Sequence, residues 1–183
     1  EIDFRYTEAL EASDNVMTFQ TVVKTVARRN GLYADFSPKP LEDWPGNGFH
    51  INMSLRPDCS GGTMLRMIAG VLDKAIPMTV FLNPTDNSYK RLGRMKAPRF
   101  VSWSSENRSQ LVRVPAAVGE FRRAELRSPD PAANPYIAFA LLIRAGLDGI
   151  KREVELPAPV NVNLFKADDG TVSRLRNLPA GLK

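Results

Sequence analysis

The stretch "RRAELRSPDPAANPYIAFALLI", Arg122 to Ile143, changes its period partway along. Arg123, Glu125 and Arg127 alternate with Ala124 and Leu126, which places three charges on one face of a strand. After Pro129 and Pro131, Asn134 stands as a helix cap with Pro135 in the first helical position. From Ile137 to Ile143 the helix is apolar on every side, which predicts burial in the core. A charged strand face followed by an apolar helix reads as a sheet that keeps one polar side.

Other segments repeat this theme. "RFVSWS" (Arg99–Ser104) and "SQLVRV" (Ser109–Val114) read as further strands, and "PGNGFHINMSL" (Pro45–Leu55) alternates His50, Asn52 and Ser54 with Ile51, Met53 and Leu55. "EIDFRY" (Glu1–Tyr6) and "LYADF" (Leu32–Phe36) also read as strands. Helices are expected from Ser13 or Asp14 to Arg29, with Val16, Phe19, Val23 and Val26 as apolar stripe, and from Thr63 to about Ala75, with Met64, Met67, Ile68 and Leu72 inward. Asn83 to Pro98 shows little periodicity and reads as a long loop of the kind that carries function. The tail after Leu156 reads as an extended surface segment. This order predicts an α+β fold with a mostly antiparallel sheet.

Of 183 residues, 43% are hydrophobic, enough for one domain with a real core. No apolar run approaches the roughly 18 residues of a membrane span, so no membrane partner is expected. Cys59 is the only cysteine, which excludes an internal disulfide and a thiolate zinc site and fits a reducing, intracellular setting. The net charge of +5 raises the question of nucleic acid, but the arginines alternate with carboxylates and lack aromatic stacking platforms, so none is expected. Planar guanidiniums in that setting suit phosphates or carboxylates; a solvated, salt-bridged face is the alternative.

His50, the single histidine, and Glu1 and Glu125 lie on polar faces of separate predicted strands. Oxygen ligands with one imidazole suit magnesium or manganese rather than zinc. With arginines nearby, the residues point to metal-assisted phosphoryl transfer. There is no Walker loop or Rossmann fingerprint, and no nucleophile elbow supports a Ser-His-Asp triad.

Taken together, "PKPLEDWPGNGFHINMSL", "NPTDNSYKRL", "WSSENRSQLVRVP", "RRAELRSPDPAANPY" and "ALLIRAGLDGIK" resemble, in order and near-spacing, the glutamine synthetases of bacterial type. The resemblance runs from Glu1 to about Phe165. It implies that residues 1–183 are the C-terminal portion of the catalytic domain, a curved, mostly antiparallel sheet with helices on one face. The N-terminal β-grasp domain and first catalytic strands would be absent, and the fragment alone inactive. The implied reaction is ATP-dependent ligation of ammonia to L-glutamate through γ-glutamyl phosphate, with two or three Mg2+ or Mn2+ ions, in a cytoplasmic homo-oligomer, a dodecamer for the full-length enzyme.

By the same resemblance, Glu1 matches a carboxylate of the metal site facing glutamate and ammonia, and His50 and Glu125 match ligands of the metal bridging the ATP phosphates. Arg91 matches the grip on the substrate α-carboxylate and Gly46 a backbone contact to glutamate. Arg127 matches a catalytic and substrate-binding arginine on the γ-carboxylate and the transferring phosphoryl. Arg108, also catalytic, and Arg113 match phosphate-binding arginines. Arg123, Asn52 and Ser54 match nucleotide contacts.

Departures are visible too. Asn52 stands where many members carry a second histidine, and Pro45 where an asparagine is usual. The loop after Arg91 is a residue short, and Lys96 replaces the glutamate that helps deprotonate ammonium, which keeps open a γ-glutamyl–amine ligase with another acceptor. Retention of the matched residues speaks against a non-catalytic member. Phe165 falls where some members carry an adenylylated tyrosine, which excludes that modification at this position.

Overall fold

The computed structural model describes residues 2–56, 59–115 and 123–182. Its elements in chain order are α1 (Ala9–Arg29), β1 (Ile51–Ser54), α2 (Gly61–Asp73), α3 (Ala75–Leu82), α4 (Asp86–Arg91), β2 (Trp103–Ser104), β3 (Val112–Arg113), β4 (Arg123–Leu126), α5 (Pro135–Lys151) and α6 (Asp169–Val172). The strands form one sheet in the order β1-β4-β3-β2. β4 pairs antiparallel with both β1 and β3, while β2 and β3 run parallel. The fold is therefore α+β with a small mixed sheet.

The charged strand of the sequence thus lies inside the sheet. Alternation along β4 sends Ala124 and Leu126 into the core and Glu125 to the opposite face. On the core side they join Ile51 and Val112 against Met64, Met67, Ile68 and Val71 of α2 and Ala138, Leu142 and Ala145 of α5. The two helices touch backbone to backbone at a pair of glycines. A Cβ on Gly70 would lie 2.2 Å from the Ala145 carbonyl oxygen, and one on Gly149 would lie 2.4 Å from the Arg66 carbonyl oxygen.

Local signals explain several boundaries. The Ser60 side chain accepts from the Thr63 amide and caps α2, while Asn134 accepts from the amides of Tyr136 and Ile137 and caps α5 as expected. A capping box between Thr85 and Ser88 folds α4 out of what reads as an aperiodic loop. The box has Ser rather than Glu or Gln at its third position, so it is easily overlooked.

Three expectations are corrected. Helix α1 begins at Ala9 rather than after Ser13, because the Ser13 hydroxyl donates back to the Ala9 carbonyl from inside the helix instead of capping it. Residues 2–6 and 32–36 form no strand: their alternation meets no partner backbone among the described residues, and Ile2 and Tyr6 stay exposed. Helix α5 is not buried all round, since α2, α1 and α3 together cover only part of its circumference and leave Ile137, Ile143 and Leu147 about half exposed. Among the described residues no helix is long and apolar enough to cross a membrane.

Candidate functional site

On the polar side of the sheet, register collects charges around one carboxylate. Glu125 stands opposite Asn52 on β1 and opposite Arg113 on β3. Arg127, two residues further along, shares its face and donates from Nη1 to Glu125 Oε1 at 2.6 Å. His50, one residue before β1, brings Nδ1 to 3.3 Å from the same oxygen. Arg113 Nε approaches Glu125 Oε2 at 2.8 Å, off the hydrogen-bond direction. Both of those atoms are buried with no hydrogen-bond partner among the described residues, so the contact is one of charge and Oε2 keeps its lone pairs.

The carboxylate is only 5% exposed. Burial alone would raise its pKa, but the imidazole contact and the charges of Arg127 and Arg113 outweigh burial and hold it at about 2. Arg127 is lowered, first by burial and then by repulsion from Arg113 and Arg108, which Glu125 only partly offsets. Guanidinium charge therefore exceeds carboxylate charge in this cluster, an electrostatic demand for an anion.

The sign of the Glu125 shift sets a pH dependence. Its contribution to stability is complete above the ordinary carboxyl value of 4.5 and is lost as pH falls from there towards 2. We expect acid unfolding to remove on the order of 3 kcal/mol through this group. Glu125→Gln should flatten the pH–stability profile between 4.5 and 2, measured by chemical denaturation at stepped pH; an unchanged profile would show that Glu125 is not held low.

Next to this cluster lies Arg91, at the last position of α4 and 3% exposed. Its Nη1 donates to the Ser128 carbonyl at 2.6 Å and its Nη2 to the Arg127 carbonyl at 3.3 Å. Asn83 donates to that same Ser128 carbonyl and to Asp130. Burial lowers the Arg91 guanidinium to about 10, so it remains charged at neutral pH. Two glycines let backbone pass over it. A Cβ on Gly46 would sit 3.0 Å from Arg91 Cγ and 2.3 Å from the Pro38 carbonyl oxygen. One on Gly48 would sit 2.8 Å from both Arg91 Nη2 and His50 Nε2.

The structure thus brings together His50, Glu125, Arg113, Arg127, Arg91 and Gly46, with Asn52 exposed across the register from Glu125. The Arg108 carbonyl accepts from Arg127 Nε at 3.0 Å, while its side chain faces solvent. Ser54 and Arg123 pair with each other at the exposed end of β1 and β4, away from the buried cluster. Glu1 lies outside the described residues. Sequence reasoning missed Gly48, although the spacing Gly46-Asn47-Gly48 carried a signal: two Cβ-free positions on one side of an extended turn.

Could this cluster hold a metal? The separation of His50 Nδ1 and Glu125 Oε1 is near the roughly 3 Å edge of an octahedron with bonds of about 2.1 Å. Glu125 Oε2 is buried and unbonded. The pair fits a divalent ion as two of its ligands. No set of three His, Cys, Asp or Glu side chains converges among the described residues.

A buried carboxylate with a partly exposed imidazole beside an excess of guanidiniums is a cluster whose chemistry suits phosphates or carboxylates. The glutamine synthetase catalytic-domain family model matches residues 1–183, so the chain belongs to that family. It is 48% identical over 180 residues to a glutamine synthetase of Pyrococcus abyssi, covering 93% of this chain and 41% of that protein. A Methanosarcina mazei glutamine synthetase is 45% identical, covering all of this chain and 44% of the relative. A solved structure described as "GmaS/ADP complex-Conformation 1" superposes with a TM-score of 0.87 at 32% identity, covering 97% of this chain and 44% of the other. The chain therefore spans about two fifths of the relatives it matches.

Proposed function

We propose that residues 1–183 are the C-terminal portion of a glutamine synthetase catalytic domain. In the whole protein they would serve ATP-dependent ligation of ammonia to L-glutamate through γ-glutamyl phosphate. The observation that carries this reading is Glu125, ringed by His50, Arg113 and Arg127 and adjoining the buried Arg91. Phosphates and a carboxylate nucleophile repel one another, and a site with surplus, rigid guanidiniums offsets that repulsion.

Each residue has a distinct role. Arg91, locked by two backbone carbonyls, presents its remaining N–H groups to the α-carboxylate of glutamate beneath the Gly46–Gly48 backbone. Arg127 orients the γ-carboxylate and, with Arg108 and Arg113, faces the phosphoryl group. Asn52, Ser54 and Arg123 line the outer end, towards the nucleotide. His50 and Glu125 hold Mg2+ or Mn2+, with Glu1 contributing to a neighbouring ion; bound metal would neutralise the phosphate oxygens. The reading extends to two or three ions per site, a homo-oligomeric, dodecameric assembly and a cytoplasmic setting.

Phosphate release by the full-length protein, measured with ATP, glutamate and ammonium, tests the reading. A parallel series with other amines tests the second one, a γ-glutamyl–amine ligase, which Lys96 keeps open by putting an ammonium where the resemblance expects a carboxylate. Absence of glutamate-dependent phosphate release with every amine would overturn both.

Arg91→Lys is expected to raise the glutamate KM by about tenfold or more while leaving the ATP KM near wild type, because an ammonium cannot hold two carbonyls and a carboxylate fork together. An unchanged glutamate KM would move Arg91 out of the substrate site.

A further inference from the structure

Asn87 lies one helical turn before Arg91 on α4 and uses its whole amide on a distant segment. Its Oδ1 accepts from the Lys39 amide at 2.6 Å, and its Nδ2 donates to the Lys39 carbonyl at 3.0 Å. This reciprocal pair imitates a rung of a β-ladder between a side chain and a backbone 48 positions away.

Lys39 itself is only 7% exposed, and its ammonium donates to the Trp44 carbonyl. A buried ammonium needs a strong local reason, since its desolvation opposes folding unless it is well bonded. Here it ties the two limbs of the 35–48 loop together. The Asn47 amide donates to the Pro38 carbonyl at 2.8 Å, and the Asn47 side chain donates to the carbonyls of Ser37 and Asp35. At the end of that loop, Gly46 and Gly48 pass over Arg91. The loop is folded on itself, then fastened to α4 one turn from the guanidinium it covers.

We propose that Asn87 and Lys39 form a clasp that sets the height of the Gly46–Gly48 backbone above Arg91, making both positioning residues for the substrate-carboxylate pocket. The inference rests on Arg91 as the carboxylate grip. Loosening the clasp would leave Arg91 anchored by Ser128 and Arg127 but let the covering backbone drift, so the effect falls on glutamate rather than on the nucleotide.

The test uses the full-length protein and four variants, Asn87→Ala, Asn87→Asp, Lys39→Met and Arg91→Lys, with steady-state kinetics in glutamate and in ATP and a thermal melt for each. Asn87→Ala and Lys39→Met are expected to raise the glutamate KM about tenfold, with kcat and the ATP KM within about threefold of wild type. Asn87→Asp keeps the acceptor for the Lys39 amide and should recover part of the loss; it and Lys39→Met carry the test if Asn87→Ala does not fold. An unchanged glutamate KM overturns the clasp, as does a comparable rise of both KM values together with a fall of kcat and melting temperature, which marks a purely structural role. If Arg91→Lys raises the glutamate KM while the clasp variants do not, the clasp alone fails. If Arg91→Lys has no effect, the substrate reading fails and takes the clasp with it.

Discussion

Replacing Glu125 with alanine in the full-length protein is expected to abolish turnover, by a thousandfold or more. The side chain is the common partner of His50, Arg113 and Arg127, and each of those sits where phosphate chemistry is proposed. Its removal takes away a metal ligand and leaves two little-exposed guanidiniums without a counter-charge. A buried charge stripped of its partner costs about 3–5 kcal/mol, so stability should fall as well. Glu125→Gln separates the two effects: it keeps the shape and one acceptor oxygen for Arg127, yet lacks the charge that a metal requires. Both variants should bind manganese more weakly by calorimetry, and Glu125→Gln should remain folded while inactive. Wild-type turnover by Glu125→Ala across a metal titration would remove Glu125 from the site.

The second large effect concerns packing. Gly149→Ala is expected to destabilise the protein by about 3 kcal/mol, even though alanine is the better helix former by about 1 kcal/mol. The added Cβ would fall 2.4 Å from the Arg66 carbonyl oxygen and 2.6 Å from Gly70 Cα. These are backbone atoms of α2, so no rotamer change relieves the overlap and the two helices must separate. Separation loosens Met67, Ile68 and Val71 against Leu142 and Ala145, the apolar layer beneath β4. Gly70→Ala should act in the same way, since its Cβ would meet the Ala145 carbonyl oxygen at 2.2 Å. Denaturant unfolding measures both; a stabilised Gly149→Ala would mean that propensity outweighs contact and that the helices are not so close.

Much of the site was legible as pattern. The period of two in Arg123-Ala124-Glu125-Leu126-Arg127 determined that the charges share one face and the apolar residues another, because a pleated strand offers no other arrangement. Asn134-Pro135 determined where α5 begins, because side-chain acceptor and fixed φ act within one turn. His50 stood out by being the only imidazole, and its alternating neighbours correctly gave Ile51 to the core and Asn52 to solvent.

Other features depended on partners distant in sequence. The same alternation in residues 2–6 made no strand, since a ladder needs a second backbone and none among the described residues pairs there. The apolar girth of α5 did not bury it, because the helices packed on it cover only part of its circumference and leave Ile137, Ile143 and Leu147 about half exposed. Register, which no local pattern states, placed Arg113 opposite Glu125 and turned three scattered charges into one cluster. It also left Ser54 and Arg123 at the outer end, although their spacing had grouped them with the rest. Local chemistry thus determined which face each side chain takes. Which faces meet, and how closely Gly46 and Gly48 approach Arg91, was decided by tertiary contact, because those distances depend on backbone more than 40 residues away in the chain.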